Sequence, residues 1–263
     1  ESRWSMEKLE ERKQFYIDSG TPSKFYQEYM NQARSPDDQV FSEEDISDAI
    51  YNGVCRWDEE QGSWYVTTDE GNVFVNLFMG IDPASTTGEH NDYSVIMVVG
   101  VSDTHDYYVI EYWREKVLPM DCAEKIFQIY RKYEPFRRVN IETIAYQEML
   151  RDYIMREGRK RGLFLPGIEK GIKGYTQKKK VRLFEGLQPL FRQKAVHLKK
   201  DMIEFMDELM DFPKGAHDDT IDAFYLATQY TQGVQKPGGR NKDKSKKERK
   251  IKKVYNWMTG SRL

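Results

Sequence analysis

Three short stretches of this chain place carboxylates where metal chemistry can use them. Asp82 closes the apolar run from Val73 to Ile81, in Gly80-Ile81-Asp82-Pro83-Ala84. Glu142 closes another, in Asn140-Ile141-Glu142-Thr143, and Asp218, Asp219 and Asp222 sit together in His217-Asp218-Asp219-Thr220-Ile221-Asp222-Ala223. Carboxylates at the ends of buried strands are costly unless something neutralises them, and several together raise one another's pKa. Hard divalent cations remove that penalty, because Mg²⁺ and Mn²⁺ prefer oxygen donors. Two such ions roughly 4 Å apart activate water and stabilise the leaving oxygen of a phosphodiester. Taken singly, each acid has a plainer reading. Asp82 suits a turn, Glu142 a helix cap, and Asp218 and Asp219 the positive end of a helix dipole. Their joint spacing carries the case.

The elements that must position these acids follow from hydrophobic periodicity. Strands are predicted at Val73–Ile81, Tyr93–Val101, Tyr107–Trp113 and Arg138–Ile141, with a fifth candidate at Leu163–Leu165. Helices are predicted over 120–133, around Met149–Ile154, over 176–192 and 201–211, and from His217 to about Thr231. This order makes an α/β fold with a mixed sheet. Residues 1–50 look helical, with Ser42 and Asp45 spaced as a capping box and Pro22 following the Gly20 break. Residues 51–72 read as a connecting segment or a hairpin.

Net charge is −2 with 32% charged residues, so a nucleic-acid signal has to come from charge distribution. Lys178, Lys179, Lys180 and Arg182 follow the loop from Gly171 to Gly174 and are candidates for DNA phosphate contacts; a solvated helix face is the plainer alternative. His217 has the same two sides, orienting a carboxylate or simply preceding a helix. From Lys236 to Lys253, ten basic residues stand against two acidic ones, which predicts a flexible basic tail ending in the aromatics Tyr255 and Trp257. Cys55 and Cys122 have no metal-ligand neighbours. No run approaches the ~18 apolar residues of a membrane span. The first residue is Glu1, which suggests a piece of a longer polypeptide.

The Gly-Ile-Asp-Pro-Ala and Ile-Glu-Thr strand ends, with the segment Phe212–Ala223, resemble the three acidic motifs of large-terminase nuclease domains of tailed bacteriophages. The resemblance runs from about Phe74 to Thr231, and Phe25-Tyr26-Gln27-Glu28-Tyr29 is similar to the segment joining the terminase motor to its nuclease. It implies an RNase H-like mixed sheet flanked by helices, in three parts: a helical linker at 1–72, the nuclease domain at 73–232 and the basic tail at 233–263. It implies a metal-dependent endonuclease that cuts concatemeric viral double-stranded DNA during packaging, with two Mg²⁺ or Mn²⁺ ions.

Carried over by residue, the metal ligands are Asp82, Glu142 and an Asp of the last motif. Asp218 and Asp222, or Asp219 and Asp222, can share a helix face, so all three stay, with Asp219 ranked first. The implied partners are the terminase ATPase domain, the portal and the small terminase subunit, in the host cell cytoplasm. No Gly-x-x-x-x-Gly-Lys-Ser/Thr occurs, so ATP hydrolysis is not expected of this chain. The alternatives are another RNase H-like nuclease, such as a junction resolvase or a transposase-like enzyme, or a DNA- or portal-docking assembly module without activity.

Overall fold

The computed structural model describes residues 5–19, 25, 28–29, 39–84, 93–143, 145–173, 179–232 and 234. Gly20, Pro22, Tyr26, Gln27, Gly174, Lys178 and, Val234 apart, the basic tail with Tyr255 and Trp257 lie outside the described residues. Helices α1 (Met6–Asp18) and α2 (Glu43–Asp48) come first, then strands β1 (Cys55–Asp58), β2 (Ser63–Thr68), β3 (Gly71–Asp82), β4 (Ser94–Val101) and β5 (Tyr107–Glu115). Next are α3 (Pro119–Tyr133), β6 (Phe136–Thr143), α4 (Ala145–Lys160), β7 (Ile172–Lys173) and α5 (Lys179–Arg192). The order ends with β8 (Val196–His197), α6 (Ile203–Asp211) and α7 (Asp219–Thr228).

The sheet is mixed, as the alternation of elements predicts. Strands β3, β4 and β5 form an antiparallel meander, while β6 runs parallel to β3, β7 parallel to β6, and β8 parallel to β5. Residues 51–72 take the hairpin form: β1 and β2 pair antiparallel, and β2 pairs with the first residues of β3. The expected division at 72/73 therefore falls inside β3. Helix α2 is capped as its sequence predicts, with the Asp45 amide donating to Ser42 Oγ and the Ser42 amide to the Asp45 carboxylate.

One predicted strand does not form. Leu163–Leu165 is irregular, bounded by Gly162 at φ +70° and Gly167 at φ +89°, conformations that glycine adopts without strain. Ile172–Lys173 is the strand that pairs with β6 instead, at Glu142 and Thr143.

Both faces of the sheet are covered, which is why β3 and β4 read as nearly continuous apolar runs. Phe78, Val95, Met97 and Val99 pack with α5, α6 and α7 through Leu183, Leu187, Phe205, Leu209 and Phe224. Leu77, Met79, Ile81, Ile96 and Val98 face the opposite way, onto Ala123, Ile126 and Phe127 of α3 and Leu150 and Ile154 of α4. Phe41 of the amino-terminal part joins the first of these cores, its ring 4.9 Å from that of Phe191.

Helix α7 lies unusually close to the sheet. A Cβ on Gly80 would come within 2.0 Å of the Ala223 carbonyl oxygen and 2.5 Å of the Ala227 nitrogen. Only glycine in the strand, opposite small residues on the helix, permits that approach. Gly186 does the same for α5, where a Cβ would come within 2.4 Å of the Tyr225 ring. Asn140 of β6 fastens the far end of α7, its Nδ2 donating to the carbonyls of Leu226 at 2.8 Å and Gln229 at 3.2 Å. Gly80 and Asn140 thus fix α7 against the strands that carry Asp82 and Glu142, and Gly186 fixes α5 against α7.

Candidate metal centre

Side-chain alternation decides where the strand-end acids point. Ile81 and Ile141 are paired across the parallel β3–β6 junction, and both face α3 and α4. The next residues, Asp82 and Glu142, therefore project to the α7 side, beside each other on neighbouring strands about 4.8 Å apart. Asp219 and Asp222 enter from the first turns of α7, at 4% and 2% exposure. Asp218 occupies the N-cap position of α7 but makes no capping hydrogen bond. Its carboxylate accepts from Lys179 Nζ at 2.8 Å.

The cap of α7 comes from another helix. Glu208 of α6 accepts the Thr220 amide at 2.9 Å and the Thr220 hydroxyl, so a carboxylate meets the positive end of the helix from outside. The other oxygen of Glu208 takes Arg114 Nε at 3.1 Å and Nη2 at 2.9 Å. The Arg114 guanidinium lies 3.4 Å from the centre of the Tyr93 ring, and the Tyr93 amide donates to Asp219 Oδ2 at 3.1 Å. Nothing local in the sequence announces this network, since Arg114 and Glu208 stand far apart along the chain. Gly80, inside an apolar strand, does carry the local signal of a close backbone approach.

Lys179 and Arg182 of α5 face the acids. Lys179 bridges Asp218 and Asp222, and Arg182, 7% exposed, donates to Asp222 Oδ1 at 3.2 Å and lies 3.7 Å from Glu142 Oε1. Lys180 is exposed and donates to the Pro213 carbonyl. Lys178 lies outside the described residues. His217 Nδ1 is buried 3.7 Å from Asp219 Oδ2, too long for a hydrogen bond, and its ring stands edge-on to Tyr93. Among the described residues no three His, Cys, Asp or Glu side chains are already gathered at metal-holding distance. The acids are instead arranged around Lys179 and Arg182.

Negative charge nonetheless exceeds positive here, and the ionisation of the acids reflects it. Asp82 retains some exposed surface, yet burial and the neighbouring Asp222 push its carboxyl well above the usual range; Lys179 opposes this, while Glu142 and Asp219 add to it. Burial lifts Asp222 from 3.8 to about 6, despite the attraction of Lys179. Burial alone would lower the Lys179 pKa, but Asp222 and Asp218 hold it above its ordinary value, so the amine stays charged. A cluster of carboxylate oxygens in which burial, first of all, holds Asp82 and Asp222 back from ionisation is a donor set suited to hard divalent cations. A separate cleft of ≈ 390 Å³, lined by Met120, Met149 and Tyr153, lies between α3 and α4, away from these acids.

A mixed sheet with acids at the ends of adjacent parallel strands, faced by an acidic helix start, defines the class: an RNase H-like domain. Residues 79–230 match the family described as "Terminase RNaseH-like domain", and the chain belongs to that family. No curated protein matches the chain.

Several solved structures are similar to it. The large terminase of a thermophilic bacteriophage shares 12% identity over 86% of this chain and 52% of that one, with a TM-score of 0.47. In another crystal form of the same terminase the match spans 38% of that chain. The large terminase nuclease of the thermophilic phage G20c, with bound zinc, shares 19% identity over 72% and 96% of the two chains, with a TM-score of 0.44. The human cytomegalovirus terminase nuclease domain shares 14% over 58% and 82%, also at 0.44. Among the described residues no helix is long and apolar enough to cross a membrane.

Proposed function

We propose that this chain is a metal-dependent endonuclease that cuts double-stranded viral DNA during genome packaging, by two-metal phosphodiester hydrolysis. The observation that carries the reading is the parallel β3–β6 register, which sets Asp82 beside Glu142 and turns both toward the acids of α7. Membership of the terminase RNase H-like family supports the same reading.

Asp82, Glu142, Asp219 and Asp222 are the residues that would hold the metal, with Asp218 at the rim. Mg²⁺ or Mn²⁺ held there would supply an activated water and would offset charge on the departing 3′ oxygen. The chain's own part is to keep the ligands in place. Strand ends fix Asp82 and Glu142, the Tyr93 amide holds one oxygen of Asp219, and Arg182 holds Asp222 close to Glu142. Lys180, exposed next to Lys179 at the start of α5, offers a charge to the phosphate backbone. Residues 73–232 would form the nuclease proper, 1–72 would lead toward the motor, and 233–263 would form a basic tail. Partners would be a separate ATPase domain, the portal and the small terminase subunit.

Cleavage of supercoiled plasmid in Mn²⁺, Mg²⁺ or EDTA tests this directly, beside Asp82→Asn and Glu142→Gln. The expected result is nicking and linearisation that require metal and disappear in both variants. A wild-type chain that leaves the plasmid intact at high enzyme and Mn²⁺, or variants that cut as well as wild type, would overturn it.

A further inference from the structure

The two cations in the acid cluster are held very differently. Arg182 is anchored: its side chain is 7% exposed, its guanidinium touches both Asp222 and Glu142, and it lies 5.2 Å from the centre of the Tyr225 ring. Tyr225 in turn packs closely on Gly186, on the same helix as Arg182. Lys179 sits at the first position of α5, and its side chain keeps 45% exposure. Its stem reaches inward so that Nζ bridges Asp218, at the N-cap of α7, and Asp222, one turn further on. A lysine ammonium is a compact point charge on a flexible stem, whereas a guanidinium is a rigid planar fork. Of the two, Lys179 is the one that resembles a small cation and the one able to swing out toward solvent.

We propose that Lys179 is a built-in counter-ion of the acid cluster, its ammonium bridging Asp218 and Asp222 at the edge of the space a divalent cation would take, so that metal entry displaces Lys179 and leaves Arg182 in place. This rests on the metal-centre reading above. It accounts for two features together: an N-cap aspartate turned away from its own helix, and a half-exposed lysine whose ammonium reaches a carboxylate of 3% exposure. It also makes metal occupancy a competition. The acid cluster is partly neutralised from within, and the cation's affinity is reduced by whatever the Lys179 pairs contribute.

Two measurements without DNA test it. The first is Mn²⁺ affinity by calorimetry for wild type, Lys179→Met and Lys179→Arg. The Met variant keeps the stem and loses the competing charge, so it should bind Mn²⁺ about tenfold more tightly, within the usual range for coupled charged sites; the Arg variant should stay near wild type. The second uses the unaltered chain: acylation of Lys179 by an amine-reactive reagent, read by mass spectrometry in Mn²⁺ and in EDTA. Labelling of Lys179 should rise severalfold in Mn²⁺, while Lys132 and Lys160, paired on the surface with Glu111 and Glu157, stay unchanged. Equal or weaker Mn²⁺ binding by Lys179→Met, or labelling indifferent to metal while wild type binds it, overturns the displacement and leaves the metal centre standing. Absence of Mn²⁺ binding in both wild type and Lys179→Met overturns the two readings together.

Discussion

On one side of the first turn of α7, Arg114 faces Glu208; on the other, Lys179 and Arg182 face Asp82, Glu142, Asp218, Asp219 and Asp222. Arg114 and Glu208 are nearly enclosed, as are Arg182 and Asp222, while Lys179 keeps 45% exposure. In the first, one cation meets one anion, and the carboxylate also takes the Thr220 amide and hydroxyl. Its charges and hydrogen bonds are matched, so it needs nothing more, and its work is to anchor the helix. In the second, two cations stand among five carboxylates, and two of those acids are pushed toward their protonated forms. Natural folds rarely leave such an excess of buried negative charge without a ligand to relieve it. The first network is balanced and anchors a helix; the second carries the imbalance that the proposed cation would relieve.

The largest effect should come from unbalancing the matched side. Glu208→Ala leaves the Arg114 guanidinium buried without its carboxylate and removes the external cap of α7. Losing one partner of a buried pair costs about 3–5 kcal/mol, and urea unfolding should read a loss of that order in EDTA and in Mn²⁺ alike. A loss under ~1 kcal/mol, the range of exposed pairs, would mean that the network is not the anchor described here.

The crowded side should respond with the opposite sign. Asp82→Asn removes a carboxyl that burial and the neighbouring Asp222 keep from ionising, so near neutral pH the variant should be more stable than wild type in EDTA. In Mn²⁺ the order should reverse, because only the wild type retains the full ligand set and gains from binding. Melting curves in the two buffers should therefore cross between the two proteins. If Asp82→Asn melts below wild type in EDTA, the acids are not crowded, and the contrast between the two networks fails.

Much of the positioning is legible in the sequence, and the reason is local. Asp82 and Glu142 end apolar runs, and runs of that kind become strands buried on both faces. Asp218, Asp219 and Asp222 open a stretch whose periodicity is helical. The orientation of α5 is not legible, because a Lys-Lys-x-Arg run looks the same whether it faces solvent or a neighbouring acid. That choice is made by Gly186 against Tyr225 and by Gly80 against Ala223, contacts between residues far apart in the chain. The Arg114–Glu208 pair hides for the same reason. The misplaced strand at Leu163–Leu165 has a different cause: its leucines are apolar enough, but Gly162, Pro166 and Gly167 hold the backbone in turns, and the two-residue β7 that pairs with β6 is too short to show a period.

The smallest expected effect concerns pH, and it reads the charge balance of the acid cluster without metal. In EDTA, Asp222 has a folded-state pKa of about 6 against an ordinary 3.8. Between those values the folded chain binds the proton more tightly than the unfolded chain, so this group's contribution to stability rises as pH falls through 6 toward 4 and is lost as pH rises. From pH 7 to pH 5 the gain amounts to roughly 1 kcal/mol, since each unit of difference is worth 1.36 kcal/mol. Glu111 works the other way: burial would raise its pKa, but Lys132 and Tyr133 lower it, so its contribution is present above the ordinary pKa and fades only in stronger acid. The comparison is therefore between wild type and Asp222→Asn, unfolded by urea in EDTA at pH 7 and pH 5. The wild type should gain on the variant over that interval. A constant difference between the two proteins would mean that Asp222 is ionised throughout, with Lys179 and Arg182 sufficient to neutralise it, and that the centre is as balanced as the anchor across the helix.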